Sequence, residues 1–215
     1  MSEIAIIDYK MSNLFSVKAA CDKVGLSSII TSDPIKIKNA KVAILPGVGA
    51  FGEAMKNLDA LKLKNSILDF VQSGKPILGI CLGMQLLFDE SDEFGKQKGL
   101  GLIPGVVKKF NSNLRNDVKY PVPQIGWNKI TQKSIGWKNT FLEDNNDGDF
   151  MYFVHSYYVK PNSDNDIISL TTYGGQEYCS SVKKENIFAT QFHPEKSGEV
   201  GLKIYKKLLK KLESI

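Results

Sequence analysis

The sequence predicts an α/β protein in which an open, largely parallel central sheet carries helices on both faces and gains antiparallel strands in the second half. Three observations predict it. Short continuous apolar runs at Ile4–Ile7, Val42–Leu45 and Ile77–Ile80 each end at turn residues, the pattern of strands buried on both faces. Segments with helical spacing lie between them. Beyond Gly101 the pattern changes to strand-like stretches separated by polar turns such as Asn145-Asn146-Asp147-Gly148.

After the first strand, Leu14, Val17, Cys21 and Val24 recur at steps of three and four, so they share one face of a helix. Asn13 stands where it can cap the start, and Gly25 stands where a helix C-terminus takes a left-handed residue. A second helix fits residues 61–71, stopped by Gly74 and Pro76. Alternation of strand and helix calls for right-handed crossovers and a parallel sheet covered on both sides. In the second half, residues 106–110, 150–159, 167–172, 179–182 and 187–192 read as strands that extend the sheet edge or build a small second sheet. The last helix is amphipathic, with Val200, Ile204, Leu208 and Leu212 facing inward and its lysines facing water.

The 215 residues contain no Ser/Gly-rich or Pro-rich linker, so a single domain over residues 1–215 is expected. Hydrophobic residues at 42% and charged residues at 24% are the balance of a soluble enzyme, which argues against a disordered chain. No run is long and apolar enough to span a bilayer, and Met1-Ser2-Glu3 lacks the basic lead of a secretory signal, so the expected location is cytoplasmic and away from membranes. Three cysteines at irregular spacing suit reduced thiols better than a disulfide framework or a Cys-x-x-Cys metal site, and neither a metal nor a cofactor is expected. The formal charge is +5, but the lysines concentrate only over residues 203–211, which reads as a solvated helix face and not as a nucleic-acid partner.

The segment Pro76-Ile77-Leu78-Gly79-Ile80-Cys81-Leu82-Gly83-Met84-Gln85 runs from a buried strand through Gly-x-Cys-x-Gly into a helix. This is the pattern of a nucleophile elbow, with a thiol in place of a serine hydroxyl. Glycines at positions 79 and 83 let the turn close sharply, and a helix N-terminus favours thiolate over thiol. A cysteine in such a turn is equally able to serve as a small buried hydrophobe. His193-Pro194-Glu195 shifts the balance, because Pro194 holds His193 extended and residues two apart in an extended segment project to the same side. His193 is then a base for Cys81, and Glu195 fixes its tautomer. The chain's other histidine, His155, lies in an aromatic strand with no carboxylate at a matching offset, which suits a structural hydrogen-bonded role.

Thiolate attack on a carboxamide creates an oxyanion that needs fixed donors about 3 Å away. The N–H of Leu82 offers one. The Pro46-Gly47-Val48-Gly49 loop offers candidates in Val48 and Gly49, although by itself the loop reads better as an ordinary strand-to-helix turn.

Taken together, the Pro-Gly-Val-Gly loop, the Cys81 elbow and Gln191-Phe192-His193-Pro194-Glu195-Lys196-Ser197 resemble the triad-type, or class I, glutamine amidotransferases over nearly the whole chain. Pro123-Gln124-Ile125-Gly126-Trp127-Asn128 and Tyr152-Phe153-Val154-His155-Ser156-Tyr157 resemble the subfamily of glutaminase subunits of imidazole glycerol phosphate synthase. The resemblance implies hydrolysis of glutamine to glutamate, with ammonia passed to a (β/α)8-barrel cyclase subunit as heterodimer partner in histidine biosynthesis. It also implies that Gln85, Glu93 and Gly47 bind glutamine, and that Asn13, Trp127, Tyr152 and Lys196 meet the cyclase. The family's first turn reads Asp-Tyr-Gly-x-Gly-Asn, whereas here it is Asp8-Tyr9-Lys10-Met11-Ser12-Asn13. That change on a partner-facing turn keeps open a paralogous glutaminase that supplies a surface-polysaccharide sugar amidotransferase. A cysteine- or serine-type hydrolase of esters or peptides shares the elbow but has no need of Gln85 and Glu93. A non-catalytic module is disfavoured by the complete triad, and a flavodoxin-like binder by the lack of a Gly-rich phosphate loop.

Overall fold

A computed structural model describes residues 3–11, 13–111, 120–133 and 136–213; Ser12 of the altered first turn lies outside them. The first half runs β1 (Ile4–Ile7), α1 (Leu14–Lys23), β2 (Ser28–Thr31), α2 (Pro34–Asn39), β3 (Val42–Leu45), α3 (Phe51–Ala60), α4 (Leu63–Gln72), β4 (Ile77–Ile80) and α5 (Leu82–Leu86). The second half runs β5 (Phe88–Ser91), β6 (Gln97–Lys98), β7 (Ile103–Lys109), β8 (Gln124–Lys129), β9 (Thr131–Gln132), β10 (Phe150–His155) and β11 (Tyr157–Pro161). It closes with β12 (Ile167–Tyr173), β13 (Gln176–Lys184), β14 (Ile187–Thr190) and α6 (Gly198–Glu213).

The main sheet has the order β2-β1-β3-β4-β14-β13-β11-β7-β5-β6, with β12 pairing β13 and β9. Its centre, β2-β1-β3-β4-β14, is parallel throughout. The wing from β13 outward is mainly antiparallel. Because β1 and β3 are buried on both faces, their side chains feed two apolar layers in alternation. Ala5 and Ile7 join Phe51, Leu58, Ile67 and Phe70 on one side. Ile4 and Ile6 join Cys21, Phe153, Phe192 and Leu208 on the other. From α6, Ile204, Leu208 and Leu212 are buried while Val200 packs at the margin, each full burial being worth about 1.5–3 kcal/mol. Among the described residues no helix is long and apolar enough to cross a membrane.

Three expectations need correction. Asn13 occupies the cap position of α1, but its side chain makes no capping hydrogen bond. The helix expected over residues 61–71 is Leu63–Gln72, separated from α3 by Lys62, whose left-handed φ of 57° reverses the chain. Residues 150–159 are not one strand. They break at Ser156, whose carbonyl accepts the Phe110 N–H (3.0 Å), while His155 Nδ1 bonds the Tyr157 carbonyl (2.8 Å) and ties the bend to itself. β11 therefore joins the main sheet, whereas β10 pairs only with β8 in a separate two-stranded sheet.

β4 lies between β3 and β14, so the residue after it emerges at the carboxyl ends of the strands, where doubly wound sheets place their sites. The turn there is forced tight. A Cβ on Gly83 would overlap the Leu45 carbonyl, and one on Gly79 would stand 2.8 Å from Leu87 Cδ1 and 3.0 Å from Ala189 Cβ. Gly83→Ala should therefore cost about 3 kcal/mol or more, since main-chain atoms have to move and not a flexible side-chain end. Urea unfolding measures it; an unchanged midpoint would show that β3 and α5 approach less closely than described.

Candidate active site

Cys81 is the hinge between β4 and α5, with φ 55° and ψ −110°. A non-glycine residue in this region stores about 1–3 kcal/mol of strain and persists only where its surroundings over-determine it. Here Cys81 N–H donates to the Thr190 carbonyl of β14 (2.7 Å), and the Gln85 N–H returns to the Cys81 carbonyl (3.2 Å). The sulfur is thereby raised over a cavity of about 260 Å³ lined by Val48, Gly49, Gln85, Glu93 and Tyr157 among others. A larger cavity of about 340 Å³ beside Pro76, Phe141 and Phe188 holds neither a thiol nor a histidine.

β14 delivers the second group. Pro194 opens a short 3-10 turn, leaving His193 extended at φ −100° and ψ 95°. Its Nδ1 meets Glu195 Oε1 at 2.7 Å, and both side chains are only 2% exposed. Nδ1 is thus occupied, and Nε2 is buried without a closed hydrogen bond. Burial disfavours the imidazolium, but the negative charge of a Cys81 thiolate and then that of Glu195 outweigh it and push His193 up to about 10. His155 goes the other way: burial dominates, bringing it down to about 3, and the ring stays neutral. With Nδ1 on the Tyr157 carbonyl, its Nε2 lies 3.3 Å from the Tyr178 hydroxyl, a structural bridge between β10 and β13.

The two segments expected to supply oxyanion donors touch each other. Leu82 N–H donates to the Gly47 carbonyl (3.3 Å), and Val48 N–H points away from the cavity floor to the Met11 carbonyl (2.9 Å). The Tyr9 hydroxyl donates to the Pro46 carbonyl at 2.7 Å and leaves no room for a side chain at Gly47. Burial first, and the charge of Cys81 second, raise the Tyr9 phenol, so it remains a donor. Met11 and Tyr9 were not singled out by the sequence, because a main-chain carbonyl and a buried phenol leave no motif. Gly49 adopts φ 105°, and its missing side chain admits Met11 Cε. In the altered turn Lys10 keeps a glycine-like conformation, with φ 71°, and Asp8 accepts its N–H at 2.9 Å.

Gln85 is buried, and its amide nitrogen donates to the Tyr157 carbonyl (2.9 Å) and to Gln191 Oε1 (3.0 Å). Glu93 accepts the Phe51 N–H at the start of α3 (2.5 Å) and lines the cavity. Three of the expected interface residues lie together. Trp127 of β8 stacks edge-on with Tyr152 of β10 at 6.0 Å, and Lys196 Nζ lies 5.9 Å over the Tyr152 ring. Asn13 stands at the start of α1.

A strained cysteine thus stands on a strand-to-helix elbow at the carboxyl ends of the parallel strands, with a buried His–Glu pair delivered by the neighbouring strand. The chain belongs to the class-I glutamine amidotransferase family, whose sequence model matches residues 5–212. It is similar to the imidazole glycerol phosphate synthase subunit HisH of Geobacter metallireducens, at 46% identity covering 96% of this chain and 97% of the relative. It is also similar to the subunit of the same name from Aquifex aeolicus, at 42% identity covering 98% and 97%. Among solved structures, PurLQS from Thermotoga maritima has a TM-score of 0.73 at 20% identity, covering 99% of this chain and all of that one (100%), a likeness of fold.

The opposite shifts of the two rings make a prediction. With His193 near 10 and His155 near 3, neither imidazole should titrate between about pH 5 and 8. The chain has only these two histidines, so proton NMR of the ring C–H signals reads both. A signal titrating near the ordinary 6.5 would contradict the buried ion-pair assignment.

Proposed function

We propose that this chain is the glutaminase subunit of an imidazole glycerol phosphate synthase, hydrolysing glutamine to glutamate and passing the ammonia to a (β/α)8-barrel cyclase in histidine biosynthesis. The observation that carries the hydrolytic reading is the left-handed Cys81 beside a His193 whose other nitrogen is held by Glu195. The pathway is supported by identities of 42–46% over nearly the full length of synthase subunits.

In this reading glutamine enters with its α-ammonium group against Glu93 and its carboxamide over Cys81. The thiolate adds to the carboxamide carbon, and the carbonyl π-electrons move to oxygen. The His193 imidazolium then gives its proton to the leaving nitrogen; the C–N bond breaks, ammonia departs and a thioester remains. Neutral His193 next takes a proton from water as its oxygen attacks the thioester. Collapse releases glutamate and restores the thiolate–imidazolium pair. Glu195 keeps Nε2 as the working nitrogen throughout.

One face of the β8–β10 ribbon presents Ile125, Trp127 and Phe150, which are 63%, 53% and 49% exposed. The opposite face, with Met151, Phe153 and His155, is buried. Val154, paired with Ile125, borders the cavity, and its carbonyl lies 3.9 Å from Cys81 Sγ. An apolar face that leads directly to the nucleophile suits a permanent partner, and we assign the cyclase to it with Trp127, Tyr152, Lys196 and Asn13 as contacts.

Partner docking also accounts for control. While the Gly47 carbonyl occupies the Leu82 N–H and the Met11 carbonyl holds Val48 N–H, the oxyanion lacks its donors. Rotating the Gly47–Val48 peptide frees Leu82 N–H and turns Val48 N–H inward. Each donor is worth about 3–4 kcal/mol, a factor of roughly a hundred to a thousand. The isolated chain should therefore release glutamate slowly, and the cyclase with its acceptor ligand should accelerate it by about that factor; Cys81→Ala should abolish release while ammonium salt still supports the cyclase. Full activity of the lone chain would refute gating, and acceleration by a sugar-pathway partner alone would replace the histidine pathway by its paralogue.

A further inference from the structure

Gln191, the last residue before Phe192-His193, is fully buried and sits between Cys81 and Gln85. Its carboxamide orientation follows from hydrogen-bond valence. The Tyr157 carbonyl can only accept, so the Gln85 atom at 2.9 Å from it is the amide nitrogen. That same nitrogen lies 3.0 Å from Gln191, so the Gln191 atom facing it is Oε1. Gln191 Nε2 is left facing Cys81 Sγ, at 3.7 Å. A run of three bonds, anchored on a main-chain carbonyl, thus aims one N–H at the reacting sulfur.

We propose that Gln191 is a further catalytic residue of this site, donating its carboxamide N–H to the Cys81 thiolate. The inference rests on Cys81 being the nucleophile. A thiolate accepts a hydrogen bond far better than a thiol or a thioester does, so the bond favours the attacking form and weakens as the sulfur is acylated. It also acts in the second step, where the returning thiolate is the leaving group. A second consequence concerns Gln85. Both hydrogens of its amide are committed, to Tyr157 and to Gln191, so it offers a ligand only its carbonyl oxygen. It can accept from glutamine's N–H groups and gives nothing to an oxygen-only group, which disfavours retention of the carboxylate product.

Other ionisable groups around the sulfur are His193 with Glu195 behind it, Tyr9 from the turn after β1, and, lining the same cavity, Glu93, His155 and Tyr157. All are retained in the test. Gln191→Met keeps the length and removes the donor. Gln191→Glu keeps an acceptor for Gln85 but turns an oxygen toward the sulfur. Iodoacetamide alkylation of the full chain, resolved by peptide mass spectrometry at Cys81, should show its pH midpoint raised by about one unit in Gln191→Met and by more in Gln191→Glu. In complex with the cyclase, kcat should fall by about tenfold to a hundredfold, the usual worth of a hydrogen bond to a charged group, with KM changing less. Should Gln191→Met not fold, Gln191→Glu carries the same reading. An unchanged Cys81 midpoint in either folded variant would overturn the proposal while the nucleophile assignment stands; glutamate release by Cys81→Ala would instead remove the assignment itself.

Discussion

The left-handed main chain at Cys81 is the constraint on which the rest of the site depends. A strand that ended in an ordinary turn would leave the thiol pointing into the sheet layer, where free cysteine commonly packs as a small hydrophobe. Cys21 and Cys179 do this: burial pushes the Cys21 thiol up to about 12 and raises Cys179 as well, so both are inert. At Cys81 the flanking elements hold the strained conformation. Gly83 lets α5 run against the Leu45 carbonyl, Gly79 lets β4 pass Leu87 and Ala189, and β14 fixes the Cys81 N–H. The apolar layers on both faces of the sheet make these approaches rigid, so strain of about 1–3 kcal/mol is carried by core packing and not by the site.

Around that hinge the charges are arranged by burial and pairing. The same desolvation acts on both histidines, yet a thiolate and a carboxylate reverse it at His193, whereas at His155 burial dominates and the charge of His193 adds to it. One ring is therefore held in an ion pair with Glu195, and the other serves as a fixed hydrogen-bonded brace. The N–H groups expected to serve as oxyanion donors are engaged elsewhere, Leu82 with the Gly47 carbonyl and Val48 with the Met11 carbonyl. The Val48 N–H bond to Met11 and the Tyr9 hydroxyl bond to Pro46 link the loop after β3 to the turn after β1, close to Asn13 at the start of α1. A partner meeting that turn would act on the peptide through two bonds, each worth about 0.5–1.5 kcal/mol net, a small cost against the catalytic gain from the donors.

Much of this was legible in the sequence where a short-range rule governs it. Ile4–Ile7, Val42–Leu45 and Ile77–Ile80 appear at the expected bounds, because a strand buried on both faces has to be uniformly apolar. The elbow was legible because glycine spacing records a close approach directly. Polar strands such as β5, Phe88–Ser91, and the hairpin pieces β6 and β9 gave no such signal, since their existence depends on partners far along the chain. The break at Ser156 was hidden for the same reason: a run of aromatic residues reads as one strand until long-range pairing assigns its halves to different sheets. Of the candidate site, the contact between His193 and Glu195 and the sharp turn at Cys81 could be anticipated by motif, whereas Tyr9, Met11 and Gln191 join it through contacts 37 to 110 residues away in sequence and become visible only in three dimensions.

The central claim is that geometry has selected one of three cysteines as the nucleophile. It is tested most directly by exposing the chain, together with the proposed cyclase partner, to an electrophilic glutamine analogue and locating the adduct by peptide mass spectrometry. The account predicts modification at Cys81 alone, blocked by excess glutamine and strongly slowed in His193→Ala. Modification of Cys21 or Cys179 under native conditions, or labelling of Cys81 at an unaltered rate without His193, would contradict it.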